Sequence, residues 1–586
     1  MFEGIAFFIK NGWKYDKKYI LWRSLYQLIN SMIPIMATVM PKLIIDELMG
    51  GQDYKRIFFY VFALIGYTAV ASALSEYFSW DGFTRRCKVA AEFDSNFHKH
   101  LAEADYSMLE SPDYLDMQEK AKKFLYCDWH GFGYLLDCAM NVVGQIFTLI
   151  GISAIIVTID VRMLFLFLIL IFMGTAIEKK AKYNAMKLSQ SIAKDDRGWQ
   201  YYASLFADQE YAKEIRMNSM GTWLLGRERE FFTRINNNLK KQNDGYIKSG
   251  IFRSAFTFIQ EAVAYIYLVH CVISGKISIG SFAMYTAAVT SFTLALRRVL
   301  DSLIDIKTYD LYYEKLDEYL NMPCAMRAGN KEVPKTGPYK LEFHDVSFRY
   351  PGSTKNALEN INITIPFGQK LSVVGENGAG KTTFIKLLTR MYQPTNGMIL
   401  LNGTDINEYD YDQYMGLVAS VFQDYKLFSF SITDNVTMGK DVDKERVIET
   451  LEYVGLGEKL KKLPNGAGTS VYKKFDENGF EPSGGEGQKI ALARALYKDA
   501  PIVVLDEPTA AMDPKAEYEL YEKFNDMVLG KTAIYISHRL SSARFCDTIA
   551  VFENGRITEY GSHEELMELP GGKYKSLYTM QSQFYK

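Results

Sequence analysis

Cysteine is scarce in this sequence and never closely paired: Cys87, Cys127, Cys138, Cys271, Cys324 and Cys546 are scattered through 586 residues with no CxxC. That spacing argues against a disulfide framework or a zinc site and leaves buried or incidental thiols. A surplus of one charge is also missing. The net charge of −2 provides no electrostatic footprint for a nucleic-acid partner or a polybasic tail. A cleavable signal is not expected at the start of the sequence. The first residues mix Lys10, Lys14, Lys17 and Lys18 with short apolar pieces and with Phe2, Phe7, Phe8 and Trp13. Such a segment is expected to be an interfacial elbow helix.

What is present divides in two. The length is compatible with two to four domains. Long apolar runs fill the first half, and the second half reads as an α/β protein. Spanning a bilayer core of ~30 Å takes about 20 mostly apolar helical residues. Windows at 20–43, 57–78, 138–159, 163–182, 251–273 and 280–300 qualify. The first contains Pro34 and Pro41, which a membrane helix tolerates when neighbours satisfy the freed carbonyls. The N-terminus is basic, as are the long connections bearing Arg85, Arg86, Lys88, Lys120, Lys122, Lys123, Lys179, Lys180, Lys182, Arg197 and Arg216. The positive-inside rule then predicts both termini and both long connections in the cytoplasm. Those connections read as helices continuing below the membrane, each with a short segment suited to a transverse helix, at 111–117 (SPDYLDM) and 207–215 (ADQEYAKEI).

A break rich in Pro, Gly and Lys at 321–339 separates a predicted transmembrane domain, 1–320, from a predicted α/β domain, 340–586. In the latter, GENGAGKTT from Gly375 to Thr383 follows an apolar strand and fits GxxxxGK[ST]. In such a loop the backbone around Gly375, Asn377, Gly378 and Gly380 cradles phosphates, with Thr383 at the start of the following helix. Lys381 reaches the β/γ-phosphates and Thr382 the Mg²⁺. A second apolar strand at 502–505 delivers Asp506 and Glu507 to its C-terminal edge. That arrangement is expected to give a water-mediated magnesium ligand, Asp506, and a group that polarises the attacking water, Glu507.

With these motifs in place the chain resembles the ABC transporter superfamily, specifically its exporter-type half-transporters, a group that includes multidrug, lipid and bacteriocin-peptide exporters. The resemblance extends over nearly the whole chain. It implies that Tyr350 in FRYPG stacks on adenine, and that Gln423 in VFQDYKLF contacts Mg²⁺ and faces the membrane domain. It implies that Glu477 in DENG touches the coupling helices, the role it also gives to the two transverse segments. Ser483, Gly484 and Gly485 match the signature that approaches the γ-phosphate of ATP held by a partner chain. Asp513 matches the D-loop and His538 the switch histidine. The signature departs from LSGGQ, carrying Pro482 ahead of Ser483 and Glu486 in place of glutamine. Proline just before a helix costs little, so reduced rather than abolished function is expected.

The resemblance further implies ATP and Mg²⁺ as cofactors and a dimer of half-transporters, a homodimer being favoured, with Glu507 and His538 both retained, and a heterodimer the alternative. It implies a multi-pass protein of the bacterial plasma membrane that exports its cargo, with no nucleic-acid partner. Cargo is expected to be amphipathic or cationic, such as a small bacteriocin-like peptide, with a drug or lipid as the alternative. A peptidase segment ahead of the first span, and with it leader cleavage in cis, is not expected. Gln260 and Glu261 fall mid-span, where a carboxylate is expensive and is expected to face the bundle interior; a structural hydrogen bond to a neighbouring helix is the competing reading. Asp137 and Asn141 are further candidates near the cytoplasmic end of the third span, and Tyr265, Tyr267, Phe282 and Tyr285 line a cavity or simply pack. A regulatory, non-transporting membrane subunit is the rival class, and it predicts loss of the catalytic residues.

Overall fold

A computed structural model describes residues 3–126, 133–440, 442–507, 528–536, 540 and 542–584. Its contacts divide into two compact units: Met1–Ala104 with Pro112–Pro323, and Asp105–Ser111 with Cys324–Lys586.

The first unit is helical: α1 (Glu3–Tyr15), α2 (Lys17–Asp46), α3 (Tyr54–Glu103), then, beyond the short α4 (Tyr106–Leu109) of the second unit, α5 (Pro112–Tyr126). α6 (Tyr134–Val157), α7 (Val161–Ser191), α8 (Ala193–Ala207), α9 (Ala212–Met217), α10 (Gly221–Ile273) and α11 (Ile279–Leu320) follow. Among the described residues, six helices are long and apolar enough to cross a membrane, by length and composition. Aspartate or serine caps set the starts of four of them. Asp16 accepts from the Lys18 and Tyr19 amides, Asp53 from Lys55, Asp160 from Arg162, and Ser278 from Ser281. Each cap meets donors that the first helical turn leaves unpaired. α2 carries Pro34 and Pro41 without interruption and ends in a π-turn, Glu47–Gly51. α3 has 50 residues and α10 has 53. At ~1.5 Å rise per residue each extends well past a ~30 Å hydrocarbon core.

α6 packs on α11 and α2, and α7 on α10. Their shared core contains Ile152, Ile156, Phe167, Ile171, Ala264, Val289, Phe292 and Leu296. Gly144 lets α6 approach α2 closely, since a Cβ there would lie 3.0 Å from the Gln27 carbonyl oxygen. Ion pairs tie the same helices: Arg253–Glu178 at 2.7 Å and Lys182–Asp305 at 2.8 Å.

The second unit pairs an antiparallel sheet with a mainly parallel one. The antiparallel sheet has the order β2 (Leu358–Ile365), β1 (Leu341–Phe348), β4 (Asn396–Leu401), β5 (Thr404–Asp405). The other runs β10 (Arg556–Gly561), β9 (Thr548–Glu553), β3 (Lys370–Gly375), β8 (Thr532–Ile536), β7 (Ile502–Asp506), β6 (Val418–Val421). β9, β3, β8, β7 and β6 are mutually parallel and β10 is antiparallel to β9. Strands buried on both faces read as nearly continuous apolar runs, as residues 502–505 of β7 and 533–536 of β8 do. The helix after β3, α12 (Lys381–Leu388), places Phe384, Ile385, Leu387 and Leu388 in the core.

Two expectations shift. The short helix of the first long connection is α4 at Tyr106–Leu109, not 111–117; Pro112 begins the 15-residue α5, because proline suits a first helical turn. Residues from Cys324 to 339, read as a linker, pack with the second unit, burying Met326, Val333 and Tyr339. In the second connection the chain breaks at Asp208, makes a 3₁₀ turn at Gln209–Tyr211 and resumes as α9.

Candidate active site

Strand β3 ends at Gly375, the chain turns through Gly378 and Gly380, and α12 begins at Lys381. Two of these glycines are required by space as well as conformation. At Gly375, φ is +153° and a Cβ would lie 2.3 Å from the Phe552 carbonyl oxygen. At Gly380, φ is +106° and a Cβ would meet Leu358 Cδ2 at 2.6 Å. The turn is thus held against β9 and β2, with the N-terminus of α12 facing its concavity, a geometry suited to an anion. Asn377 lies on the exposed part of this turn. Lys381 is buried and its ammonium donates to the Gly375 and Glu376 carbonyls at 2.9 and 3.0 Å, bridging the cradle. Burial lowers its pKa, opposed by Glu507 and Asp506.

The parallel register brings β7 two strands from β3, so its last residue reaches α12. The Thr382 hydroxyl donates to Asp506 Oδ2 at 3.2 Å. Burial pushes the Asp506 carboxyl up to about 6, the Thr382 hydrogen bond opposing and the neighbouring Glu507 charge adding to it. A buried carboxylate beside a hydroxyl and a second carboxylate is a donor set that fits a hard divalent cation. Glu507 follows with a left-handed backbone, φ +50°, while its amide donates to the Ile536 carbonyl at 3.0 Å. Gln423, in the chain after β6, donates from Nε2 to Glu507 Oε2 at 3.1 Å.

Tyr350 is half-buried beside the cradle. Its hydroxyl shares a 3.0 Å hydrogen bond with Thr383, and its ring packs edge-on against Phe348 and Tyr392. Ser483 caps the helix Gly484–Lys498 in a reciprocal capping box with Glu486, and Ser483 and Gly484 are exposed. Gly485 lies in the same first turn. Pro482 lies ahead of the cap, outside the helix, where its missing N–H breaks no helical bond. Glu477 is exposed on a turn. Asp513 and His538 lie outside the described residues.

Sequence reasoning left three features of this unit unassigned. Gln488, buried on the signature helix, donates from Nε2 to the Glu507 carbonyl at 3.1 Å. Its side chain fixes the backbone of the residue that Gln423 also touches. Arg390, fully buried, donates to the Tyr409 carbonyl at 3.0 Å and the Met326 carbonyl at 2.5 Å. Glu110, just after α4, accepts from the Tyr392 hydroxyl and lies 3.7 Å from the Lys386 ammonium. Only Gln488 has a legible cue, its place two residues after Glu486 of the signature; the other contacts join residues far apart in the chain.

The sequence of the second unit matches the family description "ABC transporter" over residues 358–510. The chain carries an ABC transporter domain. It is 32% identical over 384 residues to the subtilin transport ATP-binding protein SpaT of Bacillus subtilis, covering 64% of this chain and 61% of that one. It is 36% identical to the mitochondrial iron-sulfur clusters transporter ATM1 of Saccharomyces cerevisiae (53% and 45% covered). It is 38% identical to the ATP-dependent lipid A-core flippase of Cupriavidus pinatubonensis (42% and 43% covered). The matched stretches thus span between two-fifths and three-fifths of these relatives. The fold also superposes on a bacterial Atm1-family ABC exporter solved with ATP bound, with a TM-score of 0.82 and 20% identity over 96% of this chain and 98% of that one. ABC domains bind ATP, and the exporter-type architecture of apolar helices ahead of the ATPase domain is the fold of this chain.

The first unit has its own polar cavity, of about 610 Å³, lined by α2, α6, α7 and α11 residues including Asp137, Asn141, Gln145, Lys182, Asp301 and Asp305. Asp137 also accepts from Arg23 Nε at 2.8 Å. Gln260 is elsewhere: its Nε2 donates to Thr293 Oγ1 of α11 at 2.5 Å, and it is buried. Glu261 is half-buried on α10, and neither residue lines that cavity. Tyr265 is largely exposed, while Tyr285 is buried and shares a 2.8 Å hydrogen bond with Thr158.

Proposed function

We propose that this chain is half of an ATP-driven exporter, working as a dimer and moving an amphipathic cargo, most readily a small peptide, across the cell membrane. The observation that carries this reading is the convergence of Lys381, Thr382, Asp506, Glu507 and Gln423 on one phosphate cradle, in a chain whose other unit is a bundle of apolar helices.

Gly375, Asn377, Gly378, Gly380 and the first residues of α12, Lys381 to Thr383, hold the phosphates of ATP, and Tyr350 packs on the base. Thr382, Asp506 and Gln423 would hold a magnesium ion, which would neutralise charge on the transferred phosphate. Glu507 accepts the proton of the attacking water, a role its contact with Gln423 keeps aimed at the cradle. Asp513 and His538 complete the site by family analogy. Ser483, Gly484 and Gly485 face the nucleotide of a second copy, so ATP favours the closed pair by binding it more tightly than the open one. Because α4 is spliced between α3 and α5 yet packs with the ATPase unit, its motion is passed covalently into the helices.

The peptide reading of the cargo draws on the subtilin transporter and on the α-hemolysin translocation protein HlyB of Escherichia coli, 32% identical over 58% of this chain. ATM1 and the lipid A-core flippase keep metal-cluster and lipid cargoes in play as the alternative. The test uses the full chain in proteoliposomes. Wild type is expected to hydrolyse MgATP and accumulate a cationic amphipathic peptide, with Glu507→Gln slower by roughly a hundredfold or more. Equal hydrolysis by the two proteins overturns the ATPase mechanism. Hydrolysis that responds to lipid but not to peptide overturns the cargo.

A further inference from the structure

The signature has glutamate where glutamine is usual, which brings a negative charge to a helix N-terminus read here as a docking point for polyphosphate. The structure supplies that carboxylate with a counter-charge. Lys459 Nζ lies 2.9 Å from Glu486 Oε1. The other oxygen, Oε2, accepts from the Ser483 amide at 2.8 Å and the Ser483 hydroxyl at 2.9 Å. The lysine comes from a separate short helix, Gly457–Leu460, pinned to the core by Leu460, and its ammonium sits over the Phe480 ring at 4.8 Å.

We propose that Lys459 is a positioning residue of the signature, neutralising and aiming Glu486 so that a nucleotide on a second copy of the chain can dock there. The inference rests on the proposal above that Ser483, Gly484 and Gly485 face a nucleotide held by a second copy. Glu486 is ionised at neutral pH: burial raises its pKa, but the Ser483 amide, Lys459 and the Ser483 hydroxyl together hold it below the usual carboxylate range. The charge is therefore real and close to the exposed Ser483 and Gly484. With the ammonium in place, the first turn carries no net charge and the helix end can still favour an anion. Without it, an uncompensated carboxylate opposes the incoming phosphates and competes for the serine hydroxyl. Lys459 also holds one carboxylate oxygen apart from the serine, so the hydroxyl has a single acceptor to give up when nucleotide arrives. Glutamine at 486 has no charge to neutralise, and the lysine becomes dispensable. The pair thus explains how this chain accommodates its departure from LSGGQ.

The test measures ATP hydrolysis against MgATP concentration for the full chain in lipid nanodiscs. It compares wild type, Lys459→Met, Lys459→Arg, Glu486→Gln and the double variant Lys459→Met with Glu486→Gln. Lys459→Met is expected to lose about tenfold in kcat/KM, mainly through KM, with the loss shrinking as salt screens the repulsion. Lys459→Arg is expected to retain wild-type behaviour. The double variant is expected to return to within about twofold of Glu486→Gln, since the two sites are coupled. Wild-type kinetics in Lys459→Met, or a double variant as impaired as Lys459→Met, overturns the inference. A loss insensitive to salt and matched by a fall in thermal stability does so as well, because it assigns the lysine a merely structural role. Undiminished hydrolysis by a Glu507→Gln control is the separate outcome that overturns the parent reading, and this inference with it.

Discussion

Gln423 donates a 3.1 Å hydrogen bond to the Glu507 carboxylate across 84 residues of sequence. The contact joins the segment after β6 to the end of β7, next to the strand that supplies the phosphate cradle's neighbour, β8. Gln488 donates to the Glu507 backbone carbonyl. Two amides therefore fix one glutamate, Gln423 at its carboxylate and Gln488 at its backbone carbonyl, in a left-handed conformation that a non-glycine residue adopts at a cost. Replacing Gln423 with Leu is expected to lower kcat for ATP hydrolysis by about ten- to a hundredfold. Nucleotide affinity, measured by fluorescent ATP binding, changes far less. Gln488→Leu is expected to show the same pattern more weakly.

Gly380 has room for neither a Cβ nor a change of backbone conformation. Its φ of +106° and the Leu358 and Ala357 atoms within 3 Å of an added Cβ both oppose alanine. Gly380→Ala is expected to destabilise the ATPase unit by roughly 2–4 kcal/mol. Nucleotide binding is expected to fall with it, because the cradle shifts. Chemical denaturation and ATP-analogue titration read the two effects separately.

Arg390 is a buried guanidinium whose fork holds two carbonyls, one from Met326 ahead of β1 and one from Tyr409. Arg390→Met leaves both acceptors buried and unpaired, at about 1–3 kcal/mol each. A lower thermal midpoint is the expected readout. Lysine is expected to rescue little, since an ammonium cannot reproduce the planar fork.

Glu110 gives the packing of α4 a pH dependence. Burial raises its pKa, but hydrogen bonds from Tyr392 and Tyr106 and the charge of Lys386 outweigh this and hold it below the ordinary carboxylate value. A depressed folded-state pKa contributes stability above the unfolded value of about 4.3 and loses it as pH falls through the folded value. Wild type is therefore expected to be more thermostable than Glu110→Gln at neutral pH. The gap is expected to close as pH falls below 4 or so, a convergence that differential scanning calorimetry would detect.

Gln260 makes its hydrogen bond to Thr293 within the packed bundle, while its Oε1 is buried without a partner. Gln260→Leu removes that unsatisfied atom along with the hydrogen bond. Its effect on stability is expected to be within about 1 kcal/mol. Cargo-stimulated hydrolysis is expected to survive it and to fall in Asp137→Asn, whose side chain lines the polar cavity. The comparison is made on one batch of proteoliposomes, with the same peptide.

The sequence by itself determined the apolar spans, because a ~30 Å core demands runs whose length and composition need no partner to be read. It likewise determined the phosphate loop and the strand-end carboxylates, where local backbone geometry calls for fixed residue types in order, as at Gly375, Gly380, Lys381 and Asp506. Only tertiary structure decided what depends on contacts between distant segments. It assigned α4 and Met326 to the ATPase unit, turned Gln260 toward Thr293, set Asp137 in a cavity and placed Lys459 against Glu486. Hydrophobic periodicity marks the buried face of a helix but does not name the helix it meets. A charged side chain shows its counter-ion only once the chain has folded.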